Sequence, residues 1–298
     1  MTVKTFVLLF AIFLLAEIPG LGQEQNMQKP QTLTPEHYDT YLKLLTSKAD
    51  LEARTRMTVR NTGSTTLKTL VLYLHDELQL DSIETKDGKK VLNIQQRIIE
   101  SRCSITKKLR EIRIGYNLPP GNSATFTLLY NGTIQGTDIR SKSDAFFKIH
   151  PNSVFLRSAG YTNWLPVTHH GLEILNDLSL FDVEYDLPAR FEGKAIAFGT
   201  LLSEKVGDGR YVSQWKTDTP QSVLLPALWA YTGWIKRQSG TFLLYHLDNE
   251  QSRKAADVYQ LVGSKLLDFY IGTTARTGRD PRPSISLNWM FPREGIRA

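Results

Sequence analysis

Alternating apolar and polar positions dominate the first two thirds of the chain. Between Leu51 and Arg60, small or apolar side chains alternate with charged ones, the pattern of a strand with one buried and one solvated face. Turn sequences, such as Asp87-Gly88 and Pro119–Asn122, separate many further short apolar runs. Strands are therefore predicted at 51–60, 67–74, 78–85, 91–94, 112–116, 125–130, 154–157, 178–187, 195–198, 211–217, 222–236 and 241–246. Such a series predicts a mainly β fold, an antiparallel β-sandwich or saddle-like domain.

Two stretches have a helical pattern instead. Thr34 is a candidate N-cap for a short helix that begins at Pro35. From Gln251 to Tyr270 apolar residues recur at helical spacing, and a strand is predicted after this helix, from Ile285 to Trp289. The β domain is thus expected to be followed by a short, incomplete α+β segment.

The first residues predict export. Residues 1–22 have the features of a signal peptide: a basic start, an apolar run too short for a membrane anchor, and small residues at the cleavage position. The remaining chain divides into a flexible leader (23–34), a β domain (35–237) and the α+β segment (238–298). We expect a secreted, periplasmic or otherwise extracytoplasmic protein without a transmembrane segment in the mature chain.

Composition and charge narrow the classes of partner. Apolar residues make up 41% and charged residues 22%, which is typical of a globular protein with a core. The net charge is +6, but the densest basic group, between Lys107 and Arg113, is interrupted by apolar and acidic side chains. This pattern indicates a solvated strand face, so nucleic acid is not an expected partner. Cys103 is the only cysteine, which excludes an internal disulfide.

The motif THHGLE at 168–173 is the strongest candidate for metal chemistry. His170 and Glu173 have a spacing that can place two metal ligands on one face of a helix. However, H-E-x-x-H is absent, and its inverted form H-x-x-E-H would need a histidine at Ile174. Pro166 and Gly171 indicate a loop, so no metal site is predicted. If His169, His170 and Glu173 converged on one point, this interpretation would be wrong.

Other motifs have simpler explanations. The remaining histidines are scattered along the sequence: His37, His75, His150 and His246. Asn131-Gly132-Thr133 fits the N-glycosylation pattern, which has meaning only in a eukaryote and is otherwise a turn. The aromatic run at 228–234 suggests a sugar-stacking platform, but a two-sided buried strand explains it more simply.

Several stretches together resemble the aminopeptidase N family of zinc metallopeptidases. They are "LEARTRMTVRNTGSTTLKTLVLYLHDELQLDSIETKDGKKV", "NWLPVTHH", "FDVEYDLPARFEGKAIAFGTLLSEKVGDGRYVSQWKTDTPQSVLLPALWAYTGW" and "AADVYQLVGSKLLDFYIGTTAR". Their order over residues 38–298 is similar to the family's N-terminal β domain and the first elements of its catalytic domain. The resemblance implies the family's β domain fold.

The same resemblance limits what can be transferred to the chain. In the family, a G-x-M-E-N motif binds the free amino group of the substrate. Gly295 falls near the glycine of that motif and is the one candidate substrate-binding residue, but the residues after it do not match. The zinc motif is absent from the sequence, so neither catalytic residues nor metal ligands are assigned, and zinc is expected only in full-length relatives.

Three interpretations remain open. The chain is a non-catalytic, exported β domain that lacks the zinc site, either a fragment or a degenerate relative of a metallopeptidase. Alternatively, it is a regulatory or structural part of a split zinc aminopeptidase that another chain completes. In the third interpretation it is a stand-alone module that binds a cell-surface protein. The expected partner is accordingly a peptidase catalytic domain or a cell-surface protein.

Overall fold

The structure is a computed structural model that describes residues 32–101, 108–134, 147–157, 163–170, 177–223, 226–239 and 242–258. Most of these residues lie in strands, so the mainly β prediction is confirmed. The strands are β1 (Leu33–Leu45), β2 (Asp50–Asn61), β3 (Leu67–His75), β4 (Gln79–Thr85), β5 (Ile94–Glu100), β6 (Lys108–Leu118), β7 (Ser123–Thr133), β8 (Phe147–His150), β9 (Ser153–Arg157), β10 (Leu178–Pro188), β11 (Ala195–Ala197), β12 (Thr200–Gly207), β13 (Arg210–Lys216), β14 (Gln221–Ser222), β15 (Ala227–Tyr231), β16 (Trp234–Ser239) and β17 (Phe242–Leu247).

The strands form one large sheet and three smaller ones. The main sheet has the order β12-β13-β10-β1-β2-β7-β4, with β14 paired to β10. The smaller sheets have the orders β11-β15-β9-β8, β3-β6-β5 and β16-β17. All pairs are antiparallel except β1 and β10, which are parallel, with Tyr38 beside Phe181. The sequence pattern did not predict this parallel pair.

Alternation along the strands places one face of the main sheet, and one face of two of the smaller sheets, in a shared core. Along β2, every second side chain from Leu51 to Val59, including that of Thr55, is buried, while the charged residues Glu52, Arg54 and Arg56 between them are exposed. Residues from the main sheet, β3-β6-β5 and β11-β15-β9-β8 belong to one cluster of buried apolar side chains. In that cluster the rings of Tyr38 and Phe181 stack with centroids 5.1 Å apart. The period-two prediction for β2 is therefore confirmed.

The predicted helix beginning at Pro35 is wrong. Residues 33–45 form β1, in which Tyr38, Thr40, Leu42 and Leu44 are buried in alternation. A β-bulge between Pro35 and His37 shifts the register against β2. Because the bulge interrupts the period of two, the start of the strand resembles a capped helix in the sequence.

Other differences also have local causes. The predicted strand at 91–94 is mostly irregular, and β5 begins only at Ile94. The predicted strand at 222–236 is divided into β14, β15 and β16. The sequence pattern did not predict β1, β5, β8 or β12. β8 alternates but is only four residues long, and β12 is largely exposed and shows no alternation of burial.

Residues beyond the predicted domain boundary at 237 continue as a hairpin and a helix. β16 contains this boundary and pairs with β17, and a helix follows from residue 250 to the end of the described range at 258. Ala256 of this helix and Leu244 of β17 form a small apolar cluster. The division into domains stays a prediction, and the predicted strand Ile285–Trp289 lies outside the described residues. No helix in the described part of the chain is both long and apolar enough to cross a membrane.

Candidate functional site

The segment 163–170, which contains both histidines of the motif, runs alongside β3. The backbone of Val167 exchanges two hydrogen bonds with Tyr73, at 2.8 and 2.9 Å, and the amide of His75 donates to the carbonyl of Asn163. Trp164, Leu165 and Val167 are buried in the core. The segment contains no helix, as Pro166 predicted. The described part of the motif therefore does not place metal ligands on one face of a helix.

His169 is held by a buried carboxylate. Its Nδ1 lies 2.8 Å from Oδ2 of Asp177, and the hydroxyl of Thr168 donates to the same oxygen over 3.0 Å. Only 12% of the His169 side chain and 4% of the Asp177 side chain are exposed. Asp177 precedes β10, and it is eight residues from His169 in the sequence. No metal or catalytic spacing joins the two, so sequence analysis missed Asp177.

His170 contacts a different element. Its ring lies against Tyr73 of β3, with ring centroids 4.5 Å apart and a tilt of 57°. The two adjacent histidines therefore pack against separate partners, Asp177 for His169 and Tyr73 for His170. Gly171 and Glu173 lie outside the described residues, so the convergence of Glu173 with either histidine is not tested.

The scattered histidines remain apart in the fold. His37 Nε2 lies 2.9 Å from Asp182, whose other oxygen is 3.2 Å from the ammonium of Lys216. His75 is buried and receives a hydrogen bond from the amide of Glu77. In the described ranges no three His, Cys, Asp or Glu side chains are grouped as metal ligands would be.

A second polar group links the parallel pair of strands on the solvent face of the main sheet. The hydroxyl of Tyr41 donates to Asp186 over 2.6 Å, and Nε of Arg210 donates to the other oxygen of Asp186 over 2.6 Å. Partial burial and the hydrogen bond to Asp186 raise the pKa of Tyr41 to about 12. The raised pKa disfavours the ionised tyrosine, and the hydrogen bonds of Asp186 join β1, β10 and β13.

Arg113, the last residue of the basic group predicted at 107–113, pairs with a buried acid on its own strand. Glu111 accepts hydrogen bonds from Arg97 at 2.7 and 3.2 Å and from Arg113 at 2.7 Å. Burial of the Glu111 carboxyl raises its pKa, but the hydrogen bonds from both arginines outweigh burial, so that the pKa is lowered overall. The group lies on a strand, as predicted, but the prediction of a solvated face is wrong. In its described part only Lys108 is exposed, while Leu109, Glu111 and Ile112 are buried.

The aromatic run at 228–234 spans two strands. Leu228 and Ala230 of β15 are buried, but Trp229 and Tyr231 are only half buried, so the prediction of burial on both faces is wrong for the second face. A turn at 232–233 leads into Trp234, whose ring lies 5.4 Å from that of Tyr245.

Two residues singled out in the sequence cannot be placed. Cys103 and the candidate substrate-binding residue Gly295 lie outside the described residues. Asn131 is described: its side-chain amide donates to Asp81 over 2.7 Å at the surface. Neither the role of Gly295 nor glycosylation of Asn131 is tested by the fold.

Comparison with known proteins identifies the fold. No protein-family model matches the sequence, and no curated protein matches it. Among solved structures, an M1 zinc metallopeptidase from Deinococcus radiodurans matches 73% of this chain and 47% of its own, with a TM-score of 0.51 and 20% identity. The chain has the fold of the part of this M1 zinc metallopeptidase that it matches. Native yeast LTA4 hydrolase also matches, over 78% of this chain and 36% of its own, with a TM-score of 0.52 and 12% identity.

These matches confirm, for the fold, the resemblance to the aminopeptidase N family that the sequence suggested. The chain spans less than half of the length of the M1 proteins it matches. At 20% identity or less, the likeness concerns the fold alone. Activity, substrate and partners therefore have to be argued from the residues of this chain.

Proposed function

We propose that this chain provides a non-catalytic, exported β domain of the aminopeptidase N type. The observation that carries the proposal is the separate engagement of the two adjacent histidines. His169 is bound by Asp177 and Thr168, and His170 packs on Tyr73. A hydrolytic zinc needs three protein ligands around one point and an open position for water. The two histidines have different described partners, and the described residues contain no group of three His, Cys, Asp or Glu side chains that could hold a metal ion.

The sequence supports the same proposal. The 298 residues contain no H-E-x-x-H motif, in which two histidines bind zinc and the glutamate acts as general base. The role of the β domain is then to support or position a partner, rather than to bind metal. Export is proposed from the features of residues 1–22 alone.

Zinc content and peptidase activity test the proposal together. The purified full chain is dialysed against buffer with trace zinc, its bound zinc is measured, and hydrolysis of Leu- and Ala-linked fluorogenic amides is followed. We expect neither stoichiometric zinc nor turnover. Stoichiometric zinc with turnover, both lost in His169→Ala and His170→Ala, would refute the proposal. His150→Ala, at an exposed histidine, is the matched control.

A second function is favoured by the outer face of the sheet β11-β15-β9-β8. Ile196 and Trp229 are cross-strand neighbours on the face opposite the buried Leu228 and Ala230, and both are only half buried. A half-exposed tryptophan on a sheet face is suited to anchoring a protein partner. This chain would then be the structural part of a split zinc aminopeptidase, with the catalytic domain on another chain.

Activity in a mixture separates the two functions. If a separate polypeptide with an H-E-x-x-H motif gains turnover on addition of this chain, and Trp229→Ser reduces the gain, the split enzyme is supported. If no such polypeptide responds, yet a cell-surface protein is retained after deletion of 238–298, the stand-alone interaction module is supported.

A further inference from the structure

Strand β5 (Ile94–Glu100) presents an open edge among the described residues. In the sheet β3-β6-β5, it pairs only with β6, through an uninterrupted antiparallel register from Ile94 to Glu100. Half of the backbone N–H and C=O groups of such an edge point away from the sheet and can pair with another strand.

The side chains of β5 do little to protect this edge. Ile98 is 48% exposed, and the strand has no proline, no lysine and no bulge against its neighbour. Charged side chains also protect natural edge strands, but of the two in β5, Arg97 is paired with Glu111 and Glu100 is the last residue of the strand. The exposed isoleucine lies on the same face as Ile94, which packs against the core. A second strand at this edge would extend that apolar face.

We propose that two copies of the chain associate through β5, antiparallel and related by a twofold axis at Gln96. The resulting six-stranded sheet has the order β3-β6-β5-β5-β6-β3. In this register, Ile94 of each copy lies opposite Ile98 of the second copy, and Gln95 lies opposite Arg97. The register is chosen by complementarity: it forms two apolar pairs and opposes no like charges.

Neighbouring registers are less favourable. An axis at Arg97 would place the two guanidinium groups directly opposite each other, which destabilises a strand pair. An axis at Ile98 would form one apolar pair instead of two. Because a twofold axis perpendicular to the sheet maps each face onto itself, a residue must oppose one of the same face. This condition excludes axes between residues.

β12, an exposed edge of the main sheet, is less suited to self-pairing. Its register against β13 is interrupted between Leu201 and Ser203, and it contains an exposed lysine, Lys205. The register that would bring Leu202 opposite Val206 of a second copy also opposes the two Glu204 carboxylates. A bulge and a lysine protect edges from association. β5 is therefore the edge better suited to self-association, whatever the function of the chain.

Sedimentation and disulfide trapping test the dimer on the full chain. We expect the particle mass to double from 33.8 kDa as the concentration rises. Ile98→Lys removes both apolar pairs and adds two charges, so the dissociation constant should rise at least about tenfold. Ile98→Thr keeps strand propensity and should raise it by a smaller factor. Circular dichroism verifies that each variant is folded, and if Ile98→Lys unfolds, Ile98→Thr carries the test.

Disulfide trapping locates the axis. In a Cys103→Ser background, Gln96→Cys places two thiols opposite each other at a Cα separation of about 5 Å, within the range of a disulfide. We expect oxidation to cross-link Gln96→Cys and not Lys205→Cys, the matched control on β12. A monomer at every concentration would refute the proposal. So would a dimer that is unaffected by both Ile98 variants, or one cross-linked through Lys205→Cys and not through Gln96→Cys.

Discussion

Arg97 and Glu111 form a two-point pair across neighbouring strands: Nε and Nη2 of the arginine donate to the two carboxylate oxygens over 2.7 and 3.2 Å. Only 6% of the Glu111 side chain is exposed, whereas 62% of the Arg97 side chain is. The buried acid therefore depends on arginines that reach it from the surface. Its lowered pKa links this pair to the stability of the fold in acid.

Glu111→Gln should destabilise the chain by about 2 kcal/mol at neutral pH, because charge-assisted hydrogen bonds from two arginines are weakened. A carboxyl group whose pKa is lower in the folded than in the unfolded state stabilises the fold at a pH above its unfolded pKa, which is about 4.3 for glutamate. This contribution is lost as the pH falls through the pKa of the folded state. The difference from wild type in urea unfolding should therefore narrow in acid. Glu100→Gln, at an exposed glutamate, should change stability by less than about 0.5 kcal/mol. A difference that is constant with pH would contradict this account.

His169→Ala should lower the free energy of unfolding by about 2–3 kcal/mol, because the buried Asp177 carboxylate would lose its contact with His169. Among the described residues, the hydroxyl of Thr168 would remain as a hydrogen-bond donor to this carboxylate. Urea unfolding at neutral pH measures the loss. His150→Ala, at the surface, is expected to stay within about 0.5 kcal/mol of wild type. Equal effects for both variants would show that the contact between His169 and Asp177 contributes little to stability.

Tyr41→Phe tests the polar group around Asp186 at high pH. The pKa of Tyr41 is raised to about 12, from an ordinary value of about 10. When the pKa of a group is higher in the folded than in the unfolded state, the group stabilises the fold fully at a pH below its unfolded pKa. This contribution is lost as the pH rises through the pKa of the folded state. Below pH 10 the variant should be about 1 kcal/mol less stable than wild type, and this difference should shrink toward pH 12. Thermal unfolding across this range checks it; a difference that grows with pH would oppose the assignment.

Gly199→Ala should be costly, because Gly199 has φ of 104° and an added Cβ would lie 2.6 Å from the carbonyl oxygen of Lys216. The backbone of the β12-β13 pair would have to move, at a cost of at least about 2 kcal/mol. Gly207 is at the other end of β12, with open space around its Cα. Gly207→Ala is therefore the matched control, and we expect it to change stability by less than about 1 kcal/mol. Chemical unfolding of both variants separates backbone strain from the general effect of replacing glycine with alanine. Similar losses of unfolding free energy in the two variants would contradict a close approach of residue 199 to the carbonyl of Lys216.

Sequence patterns predicted the regular strands because each depends on its own residues. β2 alternates without interruption, and the turn at Pro119–Asn122 joins β6 to β7 as expected. The pattern failed where local periodicity is absent or misleading. The bulge near Pro35 produced a false helix in β1, and β12 is too exposed to show a buried face.

The candidate site was predictable only in part. Pro166 correctly indicated that the histidine pair lies in a loop. The partners of the histidines were not predictable, because Asp177 and Tyr73 carry no motif that relates them to His169 and His170. Likewise, the pairing of Arg97 with Glu111 follows from the register of β5 against β6. The basic run in the sequence gives no sign that one of its residues, Arg113, pairs with the buried Glu111.

The sequence by itself determined that the chain builds a mainly β fold, since alternating burial and turn residues are properties of short segments. It also contained enough ordered similarity to suggest the aminopeptidase N type of fold. Only the tertiary structure decided which strands meet, including the parallel pairing of His37–Lys43 with Leu180–Asp186. Contacts between residues so distant along the chain depend on the register of whole strands and on shared burial, and neither quantity is encoded in a local pattern.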